Sequence, residues 1–168
     1  MRVILRTTRA LAASIRDDLA RPHPFANERV GFLATRPAMA APDFVVLLAC
    51  RWYTVRDDHY LPSKAYGALV GSAGISAALQ IAYGERVSMC HVHMHGHSGP
   101  PDFSSIDLQE NHKFMPDFFK VRPAFPHAAV VLSRDSAVGL CWLAPKTEPT
   151  HIEEIGEIGA PLRSTLFR

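Results

Sequence analysis

Four of the chain's nine histidines stand within seven positions, at His91, His93, His95 and His97 in the run C-H-V-H-M-H-G-H. Alternate side chains of a β-strand point to the same face, so an extended backbone here puts His91, His93 and His95 in one column of imidazoles. Neutral imidazole nitrogen suits zinc, and catalytic zinc sites take three protein ligands while keeping a fourth position for water. Two neighbouring members of the column supply two ligands. The third is expected just past the break G-H-S-G-P-P, where Ser104-Ser105-Ile106-Asp107 carries the S-x-x-D pattern of a helix N-terminus. Asp107, in the first turn of that helix, is placed to point back at the histidines and close a His, His, Asp set. Each piece has a plainer use, Ser104 and Asp107 as an ordinary helix cap and the histidines as a loose metal-binding tract. The plain uses require three coincidences between Cys90 and Asp107, and the joint metal reading is preferred.

The order of these residues resembles the JAMM motif of the MPN-domain metalloproteases, in which a glutamate on an early strand is followed by His-x-His, a loop and Ser-x-x-Asp. Glu28 supplies the glutamate, opening E-R-V-G-F-L, which is similar to the E-x-x-G-hydrophobic-L start of the family's first motif. The likeness is nearest to the small bacterial branch found beside ubiquitin-like proteins and their activating and conjugating enzymes, and it runs from about Val3 to Leu143. The spacing departs from the family's usual seven residues between second histidine and serine: His95 to Ser104 leaves eight and His93 to Ser104 leaves ten. The smaller insertion favours His93 and His95 as ligands, with His91 and His93 the alternative. Gly96 also stands where the family has a proline.

The resemblance implies an α/β protein of the MPN (JAB1/MPN, cytidine-deaminase-like) fold, a central mixed β-sheet flanked by helices. It implies Zn2+ held by His93, His95 and Asp107, with Glu28 taking a proton from the attacking water and passing it to the leaving nitrogen. Ser104 is implied to hydrogen-bond the water or the oxyanion, leaving His91 behind the ligands or in place of one. The implied reaction is isopeptide or peptide hydrolysis that removes or matures a ubiquitin-like modifier, a setting that includes bacterial antiphage conjugation systems. The implied partners are the C-terminal tail of a ubiquitin-like protein, its conjugates, and E1- and E2-like enzymes. Two alternatives are a non-catalytic MPN scaffold that docks pathway partners, and a zinc amidase or peptidase without ubiquitin-like specificity.

A chain of 168 residues, 48% of them hydrophobic, suffices for one domain with a proper core. The net charge of +2, from 18 basic and 16 acidic residues without a long basic run, gives no footprint for nucleic acid. The apolar stretch at the N-terminus is too short for a signal peptide and no run approaches a membrane span, so a cytoplasmic location is expected. Cys50, Cys90 and Cys141 are odd in number, far apart and set in apolar sequence, which reads as buried free thiols rather than a disulfide framework. Without a P-C-x-x-C the chain does not match the zinc nucleobase deaminases.

The elements that must position the site follow from periodicity. Val3 to Leu5 reads as a short strand, and Thr8 as the N-cap of a helix with Leu11, Ile15 and Leu19 on one face, ending before R-P-H-P. Glu28 to Ala34 reads as a strand, R-P-A-M-A-A-P-D as a loop, and Phe44 to Val55 as a buried strand. A helix is expected from about Ser72 to Tyr83 with Gly84 as its stop, then the histidine strand from Val87. Beyond Asp107 a helical turn or two is expected before Pro116 breaks an aromatic segment whose Phe114, Met115, Phe118 and Phe119 read as core or as a hydrophobic partner surface, with core preferred. Ala128 to Ser133 and Val138 to Leu143 read as a hairpin that completes the sheet. Residues 1–144 therefore form the domain, and 145–168 a C-terminal extension that is an ordered appendage, a partner-binding tail or a flexible segment.

Overall fold

The structure, a computed structural model, describes residues 1–23, 26–62 and 67–159. Among the described residues it is a mixed α/β fold in which an eight-stranded sheet curls on itself and carries three α-helices. Strand β1 (Arg2–Thr8) leads into helix α1 (Arg9–Leu19), capped as expected by Thr8, whose hydroxyl accepts from the Leu11 N–H at 3.2 Å. Ile15 and Leu19 are the buried face of α1. Strands β2 (Val30–Ala41) and β3 (Phe44–Thr54) form a long antiparallel hairpin. Helix α2 (Ser72–Glu85) precedes β4 (Ser88–Met94), and α3 (Ser105–Val121) follows it. Strands β5 (His127–Leu132) and β6 (Ala137–Trp142) pair antiparallel, as the hairpin reading expected.

The sheet order is β7-β6-β5-β4-β2-β3-β1-β8, with the last two strands to form, β7 (Thr150–His151) and β8 (Glu154–Ile158), at opposite ends. Only Ile152 and Glu153 separate them in sequence. The Ile152 N–H donates to the Gly139 carbonyl and the Glu153 N–H to the Val3 carbonyl, each at 2.9 Å, so this stretch crosses from β6 to β1 and draws the sheet's two ends together. Residues 150–158 of the C-terminal extension are thus part of the sheet, whereas 160–168 lie outside the described residues.

Curling divides the apolar side chains into two cores. Val3, Leu5, Leu33, Val45, Leu47, Cys90, Val92, Val130 and Ile152 cluster with Ile15 and Leu19 on the face that α1 covers. Val30, Phe32, Ala34, Met89, Ala129 and Trp142 cluster with α2 and α3 on the other. Alternation along β4 therefore sends Cys90 and Val92 one way and Met89 toward the helices with the histidine column.

Five local expectations change. Strand β2 begins at Val30, so Glu28 sits two residues ahead of it. The stretch Arg36–Ala41, expected as loop, continues β2, because Arg36, Pro37 and Ala38 find ladder partners in Leu48, Leu47 and Val46 and register shifts absorb the irregularity. Helix α2 runs through Gly84 and stops at Arg86, which takes the left-handed conformation with φ 54° and returns its N–H to the Ala82 carbonyl. Helix α3 passes through Pro116 without breaking: a proline withholds one backbone donor, but Asn111, Met115, Phe118 and Phe119 are buried along one face and hold the helix to the sheet. The aromatic segment is core, as expected. Cys90 and Cys141 are buried free thiols, but Cys50 is exposed on β3. No helix among the described residues is long and apolar enough to cross a membrane.

His127 lies fully buried in this core, stacked on Phe118 at 5.3 Å between centroids, with Nδ1 accepting the Met89 N–H at 3.1 Å. Burial pushes its pKa down to about 4, partly opposed by its backbone contact at Arg122. Between that value and the ordinary 6.5 the unfolded chain binds a proton that the folded chain does not, so stability falls as pH falls through this window. Urea unfolding of the metal-free protein is expected to show a contribution of about 2 kcal/mol lost from pH 7 to pH 5, absent in His127→Phe.

Candidate metal centre

Antiparallel pairing of β2 with β4 sets Val30 opposite His93 and Phe32 opposite His91. Two residues ahead of Val30, the same register carries Glu28 level with His95, just past the end of β4. The structure accordingly brings Glu28, His93 and His95 together, one ligand atom from each lying within 4.8 Å of the others. His93 is buried, and Glu28 and His95 are half-buried at the edge of a cleft of about 490 Å³. The cleft runs between α2 and α3, with Ile75 and Leu79 on one wall and Ile106 and Phe114 on the other.

The helix after the break does point back at the histidines. Ser104 is the N-cap of α3 and forms a reciprocal capping box with Asp107: its hydroxyl accepts from the Asp107 N–H at 3.1 Å, and Asp107 Oδ2 accepts from the Ser104 N–H at 2.8 Å. The Ser104 hydroxyl also donates to the same Oδ2 at 2.7 Å. Asp107 Oδ2 then stands 3.5 Å from His93 Nε2. Burial by itself raises the Asp107 pKa, but His93 and the two Ser104 donors outweigh it and hold the carboxyl well below the usual carboxylate range. Asp107 is therefore a fixed anion against His93, and Ser104 is what fixes it. Ser104→Ala is expected to destabilise the metal-free protein by about 1 kcal/mol, measured as a shift in the urea midpoint.

A four-residue period on α3 meets the two-residue period of β4. Asp107 lies against His93, and one turn later Asn111 lies against His91. His91 faces Phe114, with ring centroids 5.1 Å apart, and burial followed by the nearby His93 pushes its pKa down to about 3. The structure thus groups His95, rather than His91, with His93 and Glu28. His97, the fourth histidine, turns outward with Nδ1 on the Ser98 carbonyl.

The donor set fits a divalent cation. His93 Nε2 is buried with no hydrogen-bond partner among the described residues, although it adjoins one carboxylate and belongs to a histidine grouped with another. Imidazole nitrogens with one or two carboxylate oxygens are donors that zinc accepts. Imidazole also suits copper, iron and nickel.

Several contributors carried no sequence signal of their own. Arg29, buried beside Glu28, donates to Asp57 at 2.7 Å and to the carbonyls of Arg21 and Pro22. The Tyr60 hydroxyl bonds both backbone groups of Val30, each at 3.0 Å. The Asn27 and Glu28 N–H groups both donate to the Gly67 carbonyl at 2.9 Å. Asn111 was legible in retrospect, since a helix starting at Ser104 puts it one turn below Asp107 on the same face.

No family model matches the chain, and no curated protein matches it. Among solved structures, the N-terminal domain of Trichoplax adhaerens STIL aligns with a TM-score of 0.48 at 9% identity. The alignment covers 83% of this chain and 42% of that one, so the chain spans less than half the length of the structure it matches. A likeness of that size carries no argument about fold family or activity. The chain's own side chains place Glu28, His93 and His95 in one group at the edge of a cleft, with Asp107 outside that group and against His93.

Proposed function

We propose that the chain is a zinc-dependent isopeptidase or peptidase of the JAMM type, built on an MPN fold and acting on the tail of a ubiquitin-like modifier. The observation that carries this reading is the grouping of Glu28, His93 and His95 within ligand reach of one another at the edge of a cleft, with Asp107 set against His93.

The two carboxylates differ in a way that divides the labour between them. Asp107 is held anionic by Ser104 and His93, which suits a permanent metal ligand beside His93 and His95. Glu28 stands at the cleft edge beside His93 and His95, where it can meet an attacking water. Bound zinc supplies a Lewis acid that makes water a usable nucleophile near neutrality. Glu28 takes a proton from the water as its oxygen bonds to the carbonyl carbon, and returns it to the nitrogen as the C–N bond breaks, so that the leaving group departs as a neutral amine. Ser104, whose hydroxyl proton points at Asp107, serves the oxyanion only by exchanging that acceptor for the substrate. The apolar walls of the cleft exclude water and receive an extended tail.

The substrate class comes from the resemblance to the bacterial JAMM branch, with E1- and E2-like enzymes as the pathway partners it implies. The purified chain, zinc-loaded or treated with chelator, is to be given a ubiquitin-like protein fused through its C-terminus to a reporter and, separately, a short dye-linked peptide. Zinc-dependent release of the fusion alone supports the reading. Equal turnover of both substrates makes the chain a zinc amidase without ubiquitin-like specificity, and a chain that retains no zinc and cleaves neither is a docking scaffold.

A further inference from the structure

Glu28 is not on a strand, so something other than ladder pairing must hold it in place. Its backbone is fixed from two sides. Arg29, its neighbour, is anchored through Asp57 and two carbonyls, and the N–H groups of Asn27 and Glu28 converge on the single carbonyl of Gly67, each at 2.9 Å. Gly67 in turn opens the strip that forms one wall of the cleft, continuing through Ala68 and Leu69 to Val70. That strip is pinned behind by the Leu61 N–H on the Leu69 carbonyl at 2.8 Å and by the pairing of Tyr60 with Val70.

At Gly67 the absence of a side chain has a specific consequence. A Cβ built there meets Oε2 of Glu28 at 2.5 Å and its carboxyl carbon at 2.8 Å. The cost that an alanine at 67 brings is therefore the overlap of its Cβ with that carboxylate. With both backbones held, the group that must yield is the carboxylate.

We propose that Gly67 is a positioning residue: by offering its carbonyl to the Glu28 backbone and no side chain to the Glu28 carboxylate, the cleft wall sets where that carboxylate stands relative to His93 and His95. The inference rests on Glu28 being the proton carrier of the proposed reaction. Relief of the 2.5 Å contact to ordinary separation moves the carboxylate by about 1 Å, and a misplacement of that size at a reacting group costs up to ~100-fold in rate.

The test is Gly67→Ala in the full chain, with four readouts. The expected result is a kcat lowered about 10- to 100-fold with KM nearly unchanged, since what is lost is placement at the reacting centre rather than substrate binding. Zinc affinity by competition titration and the urea midpoint stay at their wild-type values. A crystal structure of the variant shows the Glu28 carboxylate displaced and the backbone around it in place. Finally, Glu28→Asp costs less in the Gly67→Ala background than in the wild type, because the shorter side chain clears the added methyl; such non-additivity is what contact between the two positions predicts. Unchanged kcat in Gly67→Ala, additive losses, or a fall in the urea midpoint that accounts for the lost activity each overturns the proposal. If Glu28→Gln abolishes turnover while Gly67→Ala does not change it, the inference about Gly67 alone fails. If Glu28→Gln also leaves turnover intact, the role of Glu28 itself fails and takes this inference with it.

Discussion

Glu28→Gln is expected to lower amide hydrolysis by about 1,000-fold, within the range that a positioned proton carrier contributes, while zinc binding is kept. The substitution preserves the length and shape of the side chain, so its contact with Gly67 and its place beside His93 and His95 are retained and only the capacity to carry a proton is removed. Single-turnover rates on a ubiquitin-like fusion, with zinc content measured on the same samples, check it. Retained turnover removes Glu28 from proton transfer. Loss of zinc along with activity gives a different answer: Glu28 is then a ligand.

The other large effect separates the two histidine pairs that the spacing of the sequence left open. His95→Ala is expected to weaken zinc binding by more than the ~10- to 100-fold that changes outside the ligand shell cost, whereas His91→Ala stays within that range. His95 shares its group with Glu28 and His93, while His91 faces Phe114 and Asn111 one turn deeper. Equilibrium competition with a chromogenic chelator on both variants decides it. Zinc loss from His91→Ala with retention in His95→Ala assigns His91 as the ligand and requires β4 to present its column one step earlier than the structure has it.

The local contributions to this site were written plainly in the sequence. A period of two in H-V-H-M-H fixes a column whatever the rest of the chain does, because alternation is a property of the strand itself. Ser104 and Asp107 form the capping box that S-x-x-D announces, since both partners lie within one helical turn. Thr8 capping α1 and the β5–β6 hairpin were legible for the same reason: each is settled by neighbours along the chain.

What failed at the sequence level failed where distant residues supplied the partners. Helix α3 crosses Pro116 because its buried face outweighs one missing donor, and β2 runs on through Arg36–Ala41 because β3 offers a ladder. The stretch 150–158, which the sequence left open as appendage, tail or flexible segment, joins β6 to β1, an arrangement visible only once both ends of the sheet exist.

By itself, then, the sequence determined which side chains are available for metal chemistry and that three of the histidines share a face, because short-range geometry alone dictates both. Tertiary structure alone decided which pair of histidines meets a carboxylate. Pairing Val30 with His93 carries Glu28 to His95, and docking α3 over β4 lays Asp107 on His93 and Asn111 on His91. It also decided that a glycine with no motif around it, Gly67, lies against the Glu28 carboxylate, since that contact joins residues thirty-nine positions apart, and no local pattern records it.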